Sequence, residues 1–370
     1  MSVPHAAQPP DRLLLGPGPS PVHSRVLEAQ ARAMVGHLDP WFLERTDEIA
    51  TMLRRVLRTE NALTFAVSGT GSAGMEAAVV NIVEPGDTVV VGINGVFGRR
   101  LADTAERCGA AVVALTQPMG RIVPPDQVDA ALADHPGATA VMLVHAETST
   151  GAWQPLEEVG ALVADSDALL VVDAVTSLGG VPVEVDAWGL DVVYSGTQKC
   201  LSAPPGLAPI TFSAKAEAVM QRRRTRVRSW YLDVTAIRDY WGSARTYHHT
   251  APISSLFGLH EALRIVLEED LDARWLRHRE VGRRAQTALE ERGWRLFAEE
   301  GHRLPQLTAV VAPDGVDADA ARRILLERSG IEVGGGLGEL AGRGWRVGLM
   351  GEGATHANLD RLLDALDDQG

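Results

Sequence analysis

The 370-residue chain is 45% hydrophobic and 22% charged, enough to bury one large core and a smaller one and too apolar to be disordered over most of its length. Its 35 Lys and Arg against 48 Asp and Glu leave a formal charge of −13, which argues against a phosphate-driven grip on nucleic acid and favours a small-molecule partner. Met1 to Pro10 carries no signal-peptide pattern, no apolar run reaches about 18 residues, and Cys108 and Cys200 are too few for a disulfide framework or a four-thiolate zinc site; the sequence therefore predicts a cytoplasmic chain without a membrane span or a metal.

From about residue 60 to 215, short β-branched runs alternate with helical stretches, the rhythm of a mostly parallel sheet covered on both faces. The seven strand candidates are Leu63 to Val67, Thr88 to Gly92, Ala111 to Leu115, Ala138 to Val144, Leu169 to Val172, Val192 to Tyr194 and Pro209 to Phe212. Helical composition fills Ser72 to Val83, Phe97 to Cys108, Pro125 to Ala133 and Leu156 to Ala164. The run Arg222 to Arg228 reads as a solvated helix face or a subunit contact. Beyond about Leu256 come charge-laced helices over Leu256 to Glu269 and Leu271 to Glu291. Short strands around Thr308 to Ala312, Ile331 to Gly334 and Trp345 to Gly348 follow, with a helix at Ala318 to Arg328 between them. The expected fold class is α/β, a large domain with a mostly parallel seven-stranded sheet plus a smaller C-terminal α+β domain. We divide it into an N-terminal arm (1–20), a large domain (21–268) and a small domain (269–370).

The glycine pattern Ser68-Gly69-Thr70-Gly71-Ser72-Ala73-Gly74 follows a strand and opens a helix, so it can cradle an anion at a helix N-terminus. A dinucleotide reading also wants an acid ending the next strand, and Thr88 to Gly92 ends without one. A phosphate turn is the better reading, with a purely structural turn as its rival; the hydroxyls of Thr70 and Ser72 suit a phosphate monoester. His145-Ala146-Glu147 matches half of a zinc-deaminase motif, but its Pro-Cys-x-x-Cys partner is missing. His145 is then either a locally bonded strand-end residue or a ring stacked on a flat cofactor. Asp173 closes one apolar strand and Lys199 follows another, so both point into the crevice where open α/β sheets bind ligands. A carboxylate there can keep a pyridinium nitrogen protonated, and a desolvated amine can form a Schiff base. With the phosphate turn, the three groups describe one molecule, pyridoxal 5′-phosphate.

The sequence resembles the class V aminotransferases of the fold type I pyridoxal-phosphate family, in the alanine–glyoxylate and serine–pyruvate branch. The similarity runs in order through Leu15-Gly16-Pro17-Gly18-Pro19, Gly86-Asp87, His145 to Gly151, Asp173-Ala174-Val175-Thr176-Ser177, Ser195 to Lys199, Tyr247-His248-His249-Thr250 and Trp345-Arg346-Val347-Gly348. The resemblance implies Lys199 as the Schiff-base lysine, Asp173 on the ring nitrogen, and Thr70, Gly71, Ser72 and Gln198 on the phosphate. It also implies Thr148 beside the ring oxygen, Val175 on one ring face, and Arg346 with Gly18 at the substrate carboxylate. Phe97 stands where some relatives stack a tryptophan on the ring, next to Asn94, and Ser72 stands where some carry histidine.

Tyr247 and Thr250 are implied to reach the phosphate of a neighbouring subunit, which makes the expected assembly a homodimer with shared active sites. The implied reaction moves the amino group of alanine or serine to glyoxylate or pyruvate, since Arg346 alone answers one carboxylate and no second cation is evident. Ureidoglycine–glyoxylate and pyridoxamine–pyruvate aminotransferases share the fold and stay open, as does a non-catalytic nucleotide-binding protein. Cysteine desulfuration is not expected, because no cysteine follows Cys200.

Overall fold

A computed structural model describes residues 8–368; part of the leader reading, over 1–7, lies outside the described residues. The seven expected strands form one sheet: β1 (Leu63–Ser68), β2 (Thr88–Ile93), β3 (Ala111–Thr116), β4 (Ala140–Val144), β5 (Leu169–Asp173), β6 (Val192–Tyr194) and β7 (Leu207–Phe212). Their spatial order is β1-β7-β6-β5-β4-β2-β3. Only β7 runs antiparallel to its neighbours.

The strands carry near-continuous apolar runs because each face is covered. Val89, Val91, Leu169 and Val171 pack with the helices Gly71–Ile82 and Val96–Arg107. Val90, Leu170 and Val172, one residue out of phase, pack with Pro40–Leu57 and Ile253–Glu269. Each such side chain contributes about 1.5–3 kcal/mol when fully buried, so the alternation fixes the register. Pro209, expected to open its strand, lies inside β7. Pairing to β6 begins only at Ile210, so the proline has a single strand partner, and its carbonyl still accepts the Ser195 N–H at 2.8 Å.

A second, four-stranded antiparallel sheet orders Arg295–Leu296, Leu307–Val311, Gly344–Gly348 and Gly334–Gly335. The single strand expected over Ile331 to Gly334 is split between two partners: Ile331–Glu332 pairs in parallel with Leu13–Leu14, and Gly334–Gly335 joins the sheet. Leu13 and Leu15 thereby enter the smaller core, centred on Trp294 and Trp345 with ring centroids 4.3 Å apart. We propose to keep the domain division at 268/269. Leu271 and Trp275 still pack on the large core while Val281 to Leu289 pack on the small one, so the helix Leu271–Glu291 spans both.

The arginine run is solvated, with Arg222, Arg224, Arg226 and Arg228 exposed, but it does not lie on a helix. The helix Ala214–Gln221 stops at its C-cap Arg222. Beyond it, Arg223 donates to the Asn81 and Val83 carbonyls, each at 3.0 Å, and Arg228 to the Arg107 carbonyl at 3.1 Å, where helix C-termini expose acceptors and negative dipole. The Glu84 carboxylate, held below its usual range by the Thr225 hydroxyl and the Arg224 and Thr225 N–H groups, fixes the turn. Among the described residues, no helix is long and apolar enough to cross a membrane.

Candidate active site

The C-terminal ends of β1, β2, β4, β5 and β6 surround a cavity of about 210 Å³. It is lined by Thr70, Gly71, Ser72, Phe97, Thr148, Asp173, Val175, Gln198 and Lys199, nine of the residues singled out above, with Met75, Arg100, Val144 and Ala146. Open α/β sheets place their crevice at these ends because the connections diverge there.

Lys199 follows β6 on a turn whose carbonyl accepts the Ser20 hydroxyl at 2.7 Å. Burial, aided by the nearby Arg346 charge, lowers its amine from 10.5 to about 8. Its Nζ donates to the Pro17 carbonyl. Gly18, at φ +104°, leaves the room this contact needs: a Cβ there would lie 2.8 Å from both Cδ and Nζ of Lys199. Asp173, 3% exposed at the end of β5, accepts from the Val175 N–H and the Tyr194 hydroxyl, each at 2.9 Å. Burial outweighs those bonds and raises its carboxyl to about 6.

The helix Gly71–Ile82 starts at Thr70 with no side-chain cap, which leaves first-turn N–H groups without a side-chain partner beside the Thr70 and Ser72 hydroxyls. A Cβ on Gly71 would stand 2.9 Å from Val175, so glycine keeps this wall open. Arg346, on the strand Gly344–Gly348 and 9% exposed, donates from Nε to the Gly335 carbonyl at 2.9 Å and from Nη1 to the Thr148 carbonyl at 3.4 Å. Burial lowers its guanidinium to about 10, still charged near neutral pH.

Gly18 and Arg346 border this wall without lining it, and four other residues singled out above are absent from it. Tyr247 and Thr250 are exposed and lie outside the chain's own cavity. Asn94 is buried and donates to the Arg121 carbonyl. His145, whose ring could have stacked on a cofactor, sits instead against Trp153 and Trp188, accepts the Trp153 indole N–H at 2.9 Å and is pushed down to about 3 by burial. The apolar surroundings of the strand end hold it in the core, so the local reading is the right one.

Two residues were not given roles from the sequence. Glu147, fully buried, accepts the Phe97 and Gly98 N–H groups at 3.1 Å on Oε2 and the Ser149 N–H and hydroxyl on Oε1. It thereby caps the helix Val96–Arg107, which Gly95 cannot, and a Cβ on Gly95 would lie 2.3 Å from the Glu147 carboxyl carbon. Burial raises its pKa. Arg100 lines the cavity one turn beyond Phe97, so Arg346 is not the sole arginine near it.

Cys200 is buried, and burial pushes its thiol up to about 11, far from the reactive thiolate that desulfuration would require.

Residues 22–340 match the family model described as aminotransferase class-V. The chain is 42% identical over 361 residues to an alanine–glyoxylate aminotransferase of Oryctolagus cuniculus, covering 96% of this chain and 92% of that one. Among solved structures it resembles an alanine–glyoxylate aminotransferase from Nostoc sp., with a TM-score of 0.97 and 51% identity over 100% of this chain and 97% of the other. It also resembles a ureidoglycine–glyoxylate aminotransferase from Bacillus subtilis, with a TM-score of 0.96 and 37% identity over 98% and 93% of the two chains.

Proposed function

Since the chain belongs to the class-V aminotransferase family, with the fold of the fold type I enzymes, we propose that it is a pyridoxal-phosphate enzyme moving the amino group of alanine or serine to glyoxylate or pyruvate. The observation that carries this is an amine lowered to about 8 and a buried carboxyl on one cavity wall, Lys199 and Asp173, with an uncapped helix N-terminus beside them. The site fits the cofactor on its own evidence. The Gly71 wall is a cradle that a single Cβ would crowd, and the helix behind it opens with no side-chain cap on its first-turn N–H groups.

When bound, pyridoxal phosphate supplies an aldehyde carbon that amines attack and a ring that draws electrons from the substrate α-carbon. Lys199 would hold that aldehyde, and Thr70, Gly71, Ser72 and Gln198 the phosphate. Val175 and Phe97 would enclose the ring, with Thr148 at its oxygen. Asp173 holds a proton at the ring nitrogen, kept in place by its bonds from Val175 and Tyr194. Lys199 moves a proton at the substrate α-carbon, a role suited to an amine near 8 at neutral pH. Arg346 binds the α-carboxylate with a fork that a lysine could not reproduce.

The relatives named alanine–glyoxylate aminotransferases support the substrate choice, and the Bacillus subtilis relative supports ureidoglycine as a second donor. Tyr247, Met34 and Trp230 are 57%, 66% and 69% exposed, which supports a homodimer whose partner covers them and receives Tyr247 and Thr250 at its site. Two buried, unpaired cysteines suit the reducing cytoplasm. The substrate test is a half-reaction panel that follows the visible band of the bound cofactor with alanine, serine, ureidoglycine, aspartate and glutamate, then with glyoxylate, pyruvate and 2-oxoglutarate. Alanine or serine should lead by about tenfold, roughly 1.4 kcal/mol. A lead for glutamate and 2-oxoglutarate would overturn the substrate assignment.

A further inference from the structure

We infer that Arg100 is the counter-charge of the cofactor's phosphate, seated beside the turn Thr70-Gly71-Ser72. The inference rests on the reading of the cavity as a pyridoxal-phosphate site. A phosphate monoester brings up to two negative charges, and leaving them unmatched in a half-enclosed site is unfavourable. The groups assigned to it so far are hydroxyls, N–H groups and an amide, and a helix N-terminus adds only about half a positive charge. Two cations line the cavity. Lys199 is already assigned to the cofactor's aldehyde and stands under the charge of Arg346. Arg100 is the other.

Its placement favours the phosphate over the substrate. Arg100 lies on the helix Val96–Arg107 with its guanidinium carbon 5.0 Å from the Phe97 ring centroid. Stacked this way, a guanidinium keeps its N–H edges free for an anion. Arg100 is exposed at the mouth of the cavity, and no side-chain hydrogen bond or ion pair engages it among the described residues. One turn further, Thr104 meets the Met75 sulfur at 3.8 Å, so this face of the helix lies against the first turns of Gly71–Ile82, the helix that begins at the phosphate turn. Arg346, by contrast, is held across the cavity by the Gly335 and Thr148 carbonyls, beside the residue assigned to the ring oxygen. The two arginines therefore serve different parts of the cavity.

The test compares wild type, Arg100→Gln and Arg100→Lys, each stripped of cofactor and matched by thermal melting, for binding of pyridoxal phosphate and of pyridoxal, which lacks the phosphate. Tryptophan fluorescence reports binding, and ³¹P resonance reports the charge state of the bound phosphate. Arg100→Gln should weaken pyridoxal phosphate by about 10- to 100-fold, the range of a charge-assisted contact, and shift the bound ³¹P signal. It should leave pyridoxal within about twofold and the KM for 2-oxo acid unchanged at saturating cofactor; Arg100→Lys should recover part of the loss. Equal losses for both ligands would overturn the inference and make Arg100 a support for the Phe97 ring. Unchanged cofactor affinity with a raised substrate KM would overturn it in favour of the substrate carboxylate. A wild-type protein that binds no pyridoxal phosphate would instead overturn the reading on which the inference rests.

Discussion

Replacing Lys199 by Met should destroy activity and stabilise the cofactor-free protein. The amine falls from 10.5 to about 8 on folding, and at about 1.36 kcal/mol per pH unit this costs the fold about 3 kcal/mol at pH 7. Because the native state binds fewer protons than the unfolded chain between those two values, stability is recovered as pH rises through about 8 toward 10.5 and the cost is fully present below 8. Methionine fills a similar volume without charge, and losing the bond to the Pro17 carbonyl removes about 0.5–1.5 kcal/mol. The balance is a variant about 2 kcal/mol more stable than wild type at pH 7, with the gap closing by pH 10. Urea unfolding of both proteins, stripped of cofactor, at pH 7, 8.5 and 10 measures it. A variant less stable than wild type at pH 7, or a gap that does not change with pH, would refute the reasoning.

Glu147→Ala should cost about 3–5 kcal/mol by leaving the Phe97, Gly98 and Ser149 N–H groups unpaired in the core, and should weaken cofactor binding through Phe97; denaturant melts and a cofactor titration check both. Asp173→Asn should relieve a carboxyl held at about 6 instead of 3.8. Since the native state binds the extra proton between those values, the variant's stability gain should be absent below pH 4 and grow to about 2–3 kcal/mol above pH 6, read by melts of cofactor-free protein, while transamination falls by orders of magnitude. If sites are shared, a mixture of Lys199→Ala and Tyr247→Ala chains should recover activity that neither homodimer has, and a fully active monomer by light scattering would contradict the shared site. Cys200→Ala should keep transamination within about threefold, since its thiol is buried and unreactive.

Much of the architecture was legible because the apolar runs are short, β-branched and punctuated by Gly, Pro and Asp, and because burial on both faces leaves no polar alternation to misread. The helix Pro40–Leu57 went unread although Asp39 caps the Trp41 N–H at 2.9 Å and Pro40 occupies its first turn, a start signal present in the sequence. Lys199 and Asp173 could be paired in advance because both follow strand ends. Glu147 could not, since the helix it caps begins some 50 residues earlier in the chain; the one available signal was a helix opening after Asn94-Gly95 without a capping side chain. Arg100 was hidden among ordinary helical charges, as only its stacking on Phe97 turns it to the cavity. The arginine run was rightly read as solvated but wrongly as helical, because charge density says nothing about nearby helix ends whose carbonyls fix Arg223 and Arg228.

The chain contains only two lysines, Lys199 and Lys215, and Lys215 is engaged with the Ser166 and Ala168 carbonyls at 3.1 and 2.7 Å. Borohydride treatment of the protein with pyridoxal phosphate, followed by peptide mass mapping, therefore tests the central claim with almost no competing sites. The account predicts one cofactor mass per chain on the peptide bearing Lys199 and loss of activity in step with its formation. A cofactor mass on Lys215 or the α-amine, with Lys199 unmodified and the protein still active, would contradict it.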